Sequence, residues 1–298
     1  MNTWCLSRFL ASFAILATSL AFAQEAGSLR PPEQLAGMVE QPCPPTLNPP
    51  ASVRSLLVEL FIDPRKLTSV DFDRLMKDRE FAEFNQASQM RTRQDWAGSC
   101  RFRSANESAA TASATERPRA VFMGDSITEN WGMGDPDLFE HGVLNRGISG
   151  QTTPQMLVRF RSDVIALKPR AVHILAGTND VAGNTGPNRP QDFKDNIMSM
   201  AELARAHGLH VILGSIPPAA SFNWRPQLKP VARIRELNQW LRDYASQNGF
   251  DYVDYYSVLA GPSGELKPEL SNDGVHPNRS GYRLMRKLVE QMISSGKR

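Results

Sequence analysis

The amino-acid sequence predicts an α/β protein, with a parallel five-stranded sheet covered by helices on both faces. Two observations predict it. From Arg117 onward, short apolar runs alternate with longer stretches whose apolar residues recur at helical spacing. The first three short runs end in Gly-Asp-Ser, Arg-Gly and Gly-Thr-Asn-Asp, residues that turn a chain out of a strand. Strands alternating with helices make βαβ units and hence a parallel sheet. Such crossovers are right-handed almost without exception, and the sheet they build is buried on both faces.

The predicted strands are Ala120–Gly124, Val143–Asn145, Ala171–Ala176, His210–Leu213 and Tyr252–Tyr256. Between them, Met156, Leu157, Phe160, Val164 and Leu167 form an apolar stripe of helical period that Pro169 stops. A second helix spans Phe193 to His207 before Gly208, and a third spans Val231 to Gln247 before Asn248-Gly249. The last helix runs from Asn278 to Ser294 with Leu284, Leu288 and Met292 on one face. The α/β domain is therefore expected over residues 117–298.

The chain ahead of it divides by composition. Residues 1–23 read as a signal peptide: Arg8 precedes an apolar run from Phe9 to Phe22, and Ala21-Phe22-Ala23 is a small-x-small cleavage site. The run falls short of the ~20 residues a membrane span needs. A cut after Ala23 and a secreted or periplasmic location are expected, with no stable membrane span. Residues 24–50 are Pro-rich and should be irregular. In residues 51–103, Leu56, Leu57, Leu60 and Phe61, then Phe72, Leu75 and Met76, then Phe81 and Phe84 recur at helical spacing, which predicts two or three amphipathic helices. Residues 104–116 are rich in Ser, Ala and Thr and read as a linker. Beyond the leader two cysteines remain, Cys43 and Cys100. They are compatible with a disulfide in an oxidising compartment or with two free thiols, and spacing does not choose between these.

Composition narrows the function classes. The 298 residues are 41% hydrophobic with a formal net charge of +3, and acids are interspersed among the bases. No basic block with interleaved aromatics argues for nucleic acid. No His-Glu-x-x-His or paired Cys-x-x-Cys suggests a metal. The oligomeric state is not legible.

In open α/β sheets ligands bind beyond the carboxyl ends of the strands. Ser126, Gly147 and Asn179 follow the first three predicted strands. If those strands are adjacent, the three residues share one rim within roughly 10 Å. Serine needs a base to take its proton during attack on a carbonyl. Asp273-Gly274-Val275-His276-Pro277 supplies one in a single turn, with Asp273 orienting His276. Ser126 N–H, Gly147 N–H and the Asn179 amide are the candidate donors to an oxyanion. The other histidines read as ordinary. The Gly-x-Ser-x-Gly elbow of α/β-hydrolases is absent, since Thr128 stands two residues after Ser126.

Gly124-Asp125-Ser126, Gly147, Gly177-Thr178-Asn179-Asp180 and Asp273-Gly274-Val275-His276-Pro277 together resemble the blocks of the SGNH, or GDSL-type, hydrolases. The resemblance covers about residues 117–296, with Ile127 where many members have leucine. It implies a three-layer α/β/α, flavodoxin-like sheet with the first strand between the second and third. It implies Ser126, Asp273 and His276 as triad, and Ser126, Gly147 and Asn179 as oxyanion hole. It also implies ester or thioester hydrolysis without a metal or organic cofactor.

The substrate is less legible. Asn130 and Trp131 after the nucleophile block, Asn184 after the third block and Trp224 after the fourth strand are candidate substrate contacts. No long hydrophobic insertion suggests a lid. The expected substrate is therefore a small, short-chain acyl ester, an acetylated carbohydrate for example. The alternatives are a lysophospholipase or thioesterase acting on longer chains, and a non-catalytic binding protein that keeps the fold.

Overall fold

A computed structural model of the chain describes residues 41–65, 67–110 and 117–294. The expected signal peptide, and residues 24–40 of the Pro-rich segment, lie outside the described residues. The chain divides into Met1–Pro42 and Cys43–Arg298, and every element named here belongs to the second unit.

Five parallel strands form one sheet in the order β2-β1-β3-β4-β5: β1 (Ala120–Gly124), β2 (Val143–Gly147), β3 (Ala171–Leu175), β4 (His210–Gly214) and β5 (Asp251–Val253). β1 lies between β2 and β3, in a register that aligns Gly124 with both Gly147 and Leu175. The first strand is buried at every position, as a central strand covered on two faces must be. On one face Met156, Phe160, Phe193, Ile197 and Leu237 close the core. On the other, Ile127, Trp131, Tyr255, Tyr282 and Met285 do so.

The helices that matter for the site begin with α1 (Ala51–Leu57), which runs straight into a π-helical turn over Val58–Ile62. α2 (Ser69–Lys77) and α3 (Arg79–Gln94) follow. Then comes α4 (Arg103–Ala110), a helix where a linker is expected. Its Asn106 is buried between Arg146 Nε and Asp163 Oδ1, and these tertiary bonds hold helix in a segment whose Ser and Asn favour turns. Residues 111–116 of the expected linker lie outside the described residues.

α5 (Ser126–Gly134) follows β1 directly. α6 (Thr153–Asp163), α7 (Thr178–Ala182), α8 (Pro190–Ala206) and α9 (Val231–Asn248) complete the crossovers. The expected fifth strand is shorter than its apolar run. Asp254 accepts from the Ser257 N–H and hydroxyl, and so caps α10 (Tyr255–Leu259) at the point where strand was expected. α11 (Arg279–Ser294) closes the chain. No helix among the described residues is long and apolar enough to cross a membrane.

The N-terminal extension, the helical segment of residues 51–103, packs on the catalytic domain. Ile62 is fully buried in the core beneath α5 and α11, while Leu56, Leu60 and Leu75 form a small cluster of their own. Cys43 and Cys100 are joined in a disulfide, their Cα atoms 5.4 Å apart.

Candidate active site

β1 carries Gly124 and Asp125 to the carboxyl rim of the sheet, where α5 starts at Ser126. The Asp125 carboxylate accepts from the Ile127 N–H at 2.9 Å, so the nucleophile block doubles as a helix cap. Ser126 Oγ lies 2.9 Å from His276 Nε2. His276 Nδ1 lies 2.7 Å from Asp273 Oδ2. The carboxylate fixes the ring proton on Nδ1, which leaves Nε2 to accept from the serine hydroxyl.

The other Asp273 oxygen accepts from the backbone N–H groups of Val275 and His276 at 2.9 and 2.8 Å. One carboxylate thus shapes the turn and orients the ring. Burial disfavours charge on Asp273, yet the neighbouring His276 and these bonds outweigh it and hold the pKa at about 2. Burial likewise disfavours charge on His276, and Asp273 outweighs it, raising the pKa above the ordinary histidine value.

Behind the serine, burial pushes Asp125 up to about 7 and Asp180 to about 6. Asp180 accepts from the backbone N–H and hydroxyl of Thr153, tying α7 to the start of α6. Its role is to cap that helix. His173 is buried inside β3 against the Tyr255 hydroxyl, and burial drops its pKa to about 3, so it stays neutral.

The expected oxyanion donors divide. The Ser126 N–H, at the first position of α5 where no intrahelical partner exists, has no protein partner among the described residues. Gly147 is different: its N–H donates to Asn145 Oδ1 at 2.9 Å, and the residue does not line the cavity. A Cβ there would sit 2.2 Å from the Glu129 backbone nitrogen, so the glycine serves close packing of β2 on α5. Three residues on, Gly150 lines the cavity beside Ser126, Asn179 and His276, with φ +78° and open space around it. Its N–H has no partner among the described residues. Gly147 ends the strand, whereas the chain needs three more residues to reach the cavity beside the serine.

Asn179 lines the cavity as expected, but both amide hydrogens are engaged, to Asp125 Oδ2 at 3.2 Å and the Gln151 carbonyl at 3.1 Å. Its oxygen accepts from Asn184, whose own oxygen accepts from Trp224 Nε1 at 2.9 Å. Asn130, Asn184 and Trp224 all line the cavity. Trp131 does not. It is 0% exposed, stacked on Tyr282 and packed against Phe122 in the core. Adjacent helical residues point about 100° apart, so when Asn130 faces the cavity Trp131 faces the sheet.

The cavity encloses about 300 Å³. Two of its walls were missed from sequence: Leu57 and Phe61 come from the N-terminal extension, and Phe61 meets the His276 ring edge-on with centroids 6.2 Å apart.

A parallel sheet with a Ser-His-Asp chain at its carboxyl rim is the frame of a serine hydrolase, and similarity to known proteins agrees. The family model described as GDSL-like Lipase/Acylhydrolase family matches residues 122–284, more than half of the chain. The protein belongs to that family, an ester-bond hydrolase of the SGNH/GDSL type. A GDSL-like lipase from Bacteroides thetaiotaomicron, known from its crystal structure, is 44% identical with a TM-score of 0.65, covering 67% of this chain and 99% of that one. The bovine isoamyl acetate-hydrolyzing esterase 1 homolog is 29% identical over 222 residues, 63% of this chain and 88% of that protein. An uncharacterized lipoprotein of Bacillus subtilis, YqeF, is 39% identical over 89 residues, 29% of this chain; the match spans only 37% of its length.

Proposed function

We propose that this chain is an exported serine esterase that removes short acyl groups, acetyl among them, from carbohydrate or other small alcohols. The observation that carries the reading is the unbroken hydrogen-bonded chain from Ser126 through His276 to Asp273, open to a cavity. In the first step Ser126 Oγ attacks the ester carbonyl while His276 Nε2 takes its proton. The oxyanion is met by the N–H groups of Ser126 and Gly150, and by the Asn179 amide once it turns from Asp125. Catalytic bonds of this kind are commonly slack in the free enzyme and tighten with substrate. His276 then gives its proton to the departing alkoxide, leaving an acyl-serine and a free alcohol. Water, deprotonated by the same imidazole, attacks the acyl-serine and releases the acid.

A cavity of about 300 Å³ is at the small end for ligand sites, which favours a short acyl group. The bovine relative's name, which specifies an acetate ester, points the same way. The Cys43–Cys100 disulfide supports export, since such bonds persist in oxidising compartments. A second reading, lysophospholipase or thioesterase action on longer chains, draws on a second cavity that adjoins the first.

Labelling with a fluorophosphonate probe tests the chemistry. The parent should label and Ser126→Ala should not. An unlabelled parent would favour a binding protein that has kept the fold. Initial rates on acetyl and decanoyl p-nitrophenyl esters separate the acyl readings, acetyl being the expected preference. Sequencing the exported protein should find Gln24 at its N-terminus.

A further inference from the structure

We propose that the N-terminal extension builds the subsite for the alcohol part of the ester, and that this subsite takes a polyhydroxylated leaving group of oligosaccharide size. The inference rests on the esterase reading of Ser126 and His276. The leaving oxygen must lie where His276 Nε2 can protonate it, so the wall beside the imidazole borders the alcohol. That wall is Phe61, set edge-on to the ring by the π-helical turn.

Leu57, one turn earlier, lines both the catalytic cavity and a second one of about 420 Å³. Asn130, Met133 and Ser149 line both as well, so the two spaces adjoin on this side of the serine. The second cavity is lined largely by the extension and the segment just ahead of it, with Asn48, Arg54, Ser88, Arg91 and Thr92 among its polar groups. Its floor is apolar, from Leu57, Met133 and Ile148. An alkyl chain in this groove would strip water from the amide, hydroxyl and guanidinium groups without replacing their hydrogen bonds. A sugar chain would replace them and lay its C–H faces on the apolar floor.

The wall is also held in place. Cys43 is joined to Cys100, and Arg91 donates to the carbonyls of Pro44 and Pro45. Arg101 donates to the Leu47 carbonyl and reaches Glu129 on α5 at 3.3 Å. A fixed wall loses little freedom when ligand binds.

The test compares Ser88→Trp and Arg54→Ala with the parent on a mono-acetylated tetrasaccharide and on p-nitrophenyl acetate. The ratio of kcat/KM for the tetrasaccharide to that for the aryl ester should fall at least tenfold in Ser88→Trp, which fills the groove, and severalfold in Arg54→Ala. Binding of the unacetylated tetrasaccharide to the parent, followed by calorimetry, should weaken in the same order. An unchanged ratio in both variants, with normal fluorophosphonate labelling, would overturn the subsite and leave the esterase reading intact. So would a fall in the decanoyl-to-acetyl ratio of Ser88→Trp with no loss on the tetrasaccharide, which would give the groove to the acyl chain. A parent that takes no label would overturn the esterase reading and this inference together.

Discussion

The side-chain amide of Asn272 donates to the backbone carbonyl of Leu60 at 2.8 Å, tying the residue beside the triad aspartate to the N-terminal extension. The same amide donates to the Asp63 carbonyl at 2.8 Å, and its oxygen accepts from Arg65 N and Asn278 Nδ2, both at 3.2 Å. Every hydrogen-bonding position of the side chain is used. Asn272→Ala removes this knot and leaves backbone groups of the extension without partners, at about 1–3 kcal/mol for such a loss. Urea unfolding should register a destabilisation of that size. A change within experimental error would mean that the extension is anchored by its other contacts, such as buried Ile62 and the bonds from Gln151 and Gln155 to the Ala97 and Trp96 carbonyls.

The acid limb of the rate profile follows from the triad. Catalysis needs a neutral His276, and Asp273 raises its pKa above the ordinary value of about 6.5. kcat/KM should therefore fall as pH drops through a value above 6.5. In Asp273→Asn only the more distant Asp125 still opposes burial, so the limb should move to lower pH while kcat drops roughly 10⁴-fold. The stability signs run oppositely. Asp273, depressed to about 2, stabilises the fold above the normal carboxylate range, and this is lost as pH falls toward 2. His276, raised, stabilises below the unfolded histidine value, and this is lost as pH rises through its folded pKa.

The sheet and the triad were legible in the sequence because each is written locally. A strand such as Ala120–Gly124 is a buried apolar run that ends in turn chemistry, and Asp273 and His276 share one turn. Loop paths and helix phase were not. Gly147 and Gly150 are both plausible turn glycines, and only the path of residues 148–150 decides which of them meets the cavity. Trp131 and Asn130 are neighbours in sequence but point about 100° apart, one into the core and one to the cavity, and which is which depends on where α5 begins. Leu57 and Phe61 read as core residues of an extension. Their place in the site is a long-range fact, made by contacts such as Asn272 to Leu60 across 212 positions of chain.

The two glycines should respond differently to substitution. In Gly147→Ala the new Cβ would lie 2.2 Å from Glu129 N, with backbone of Thr128 and Asp125 at 2.7 and 2.8 Å. Backbone has to move, and a loss of at least about 3 kcal/mol is expected. Gly150→Ala meets nothing within 4 Å and bears only the cost of a left-handed backbone, about 1–2 kcal/mol. Thermal melts of the two variants check the contrast. Equal and small losses would show that the packing of β2 on α5 can accommodate a methyl group at Gly147 after all.

Asn179 is the side-chain donor of the oxyanion hole in this reading. Removing one such donor typically lowers kcat by 10²–10³-fold, and Asn179→Ala should show that loss in kcat with little change in KM. The variant also takes a hydrogen-bond donor from the buried Asp125. Fluorophosphonate labelling should slow in parallel, because the probe's developing charge uses the same hole. Full activity in Asn179→Ala would assign the oxyanion to backbone N–H groups alone.

The Cys43–Cys100 bond closes a loop across 57 positions of sequence, within which α1, α2, α3 and the groove wall all lie. Loop closure of that length removes unfolded-state entropy worth ~4 kcal/mol on the chain-entropy account, with measured effects of about 2–4 kcal/mol. The double variant Cys43→Ser/Cys100→Ser avoids leaving an odd thiol and should lose stability in that range by guanidinium unfolding. Reductant should destabilise the parent by a similar amount and leave the double variant unmoved. The extension ought to loosen before the sheet does, because its own cluster is small while Val121, Phe122 and Met123 of β1 are fully buried. Hydrogen exchange on the double variant should then show faster exchange over residues 51–65 than over 120–124. Uniform exchange across both segments would instead mean that the extension and the catalytic domain unfold as one unit.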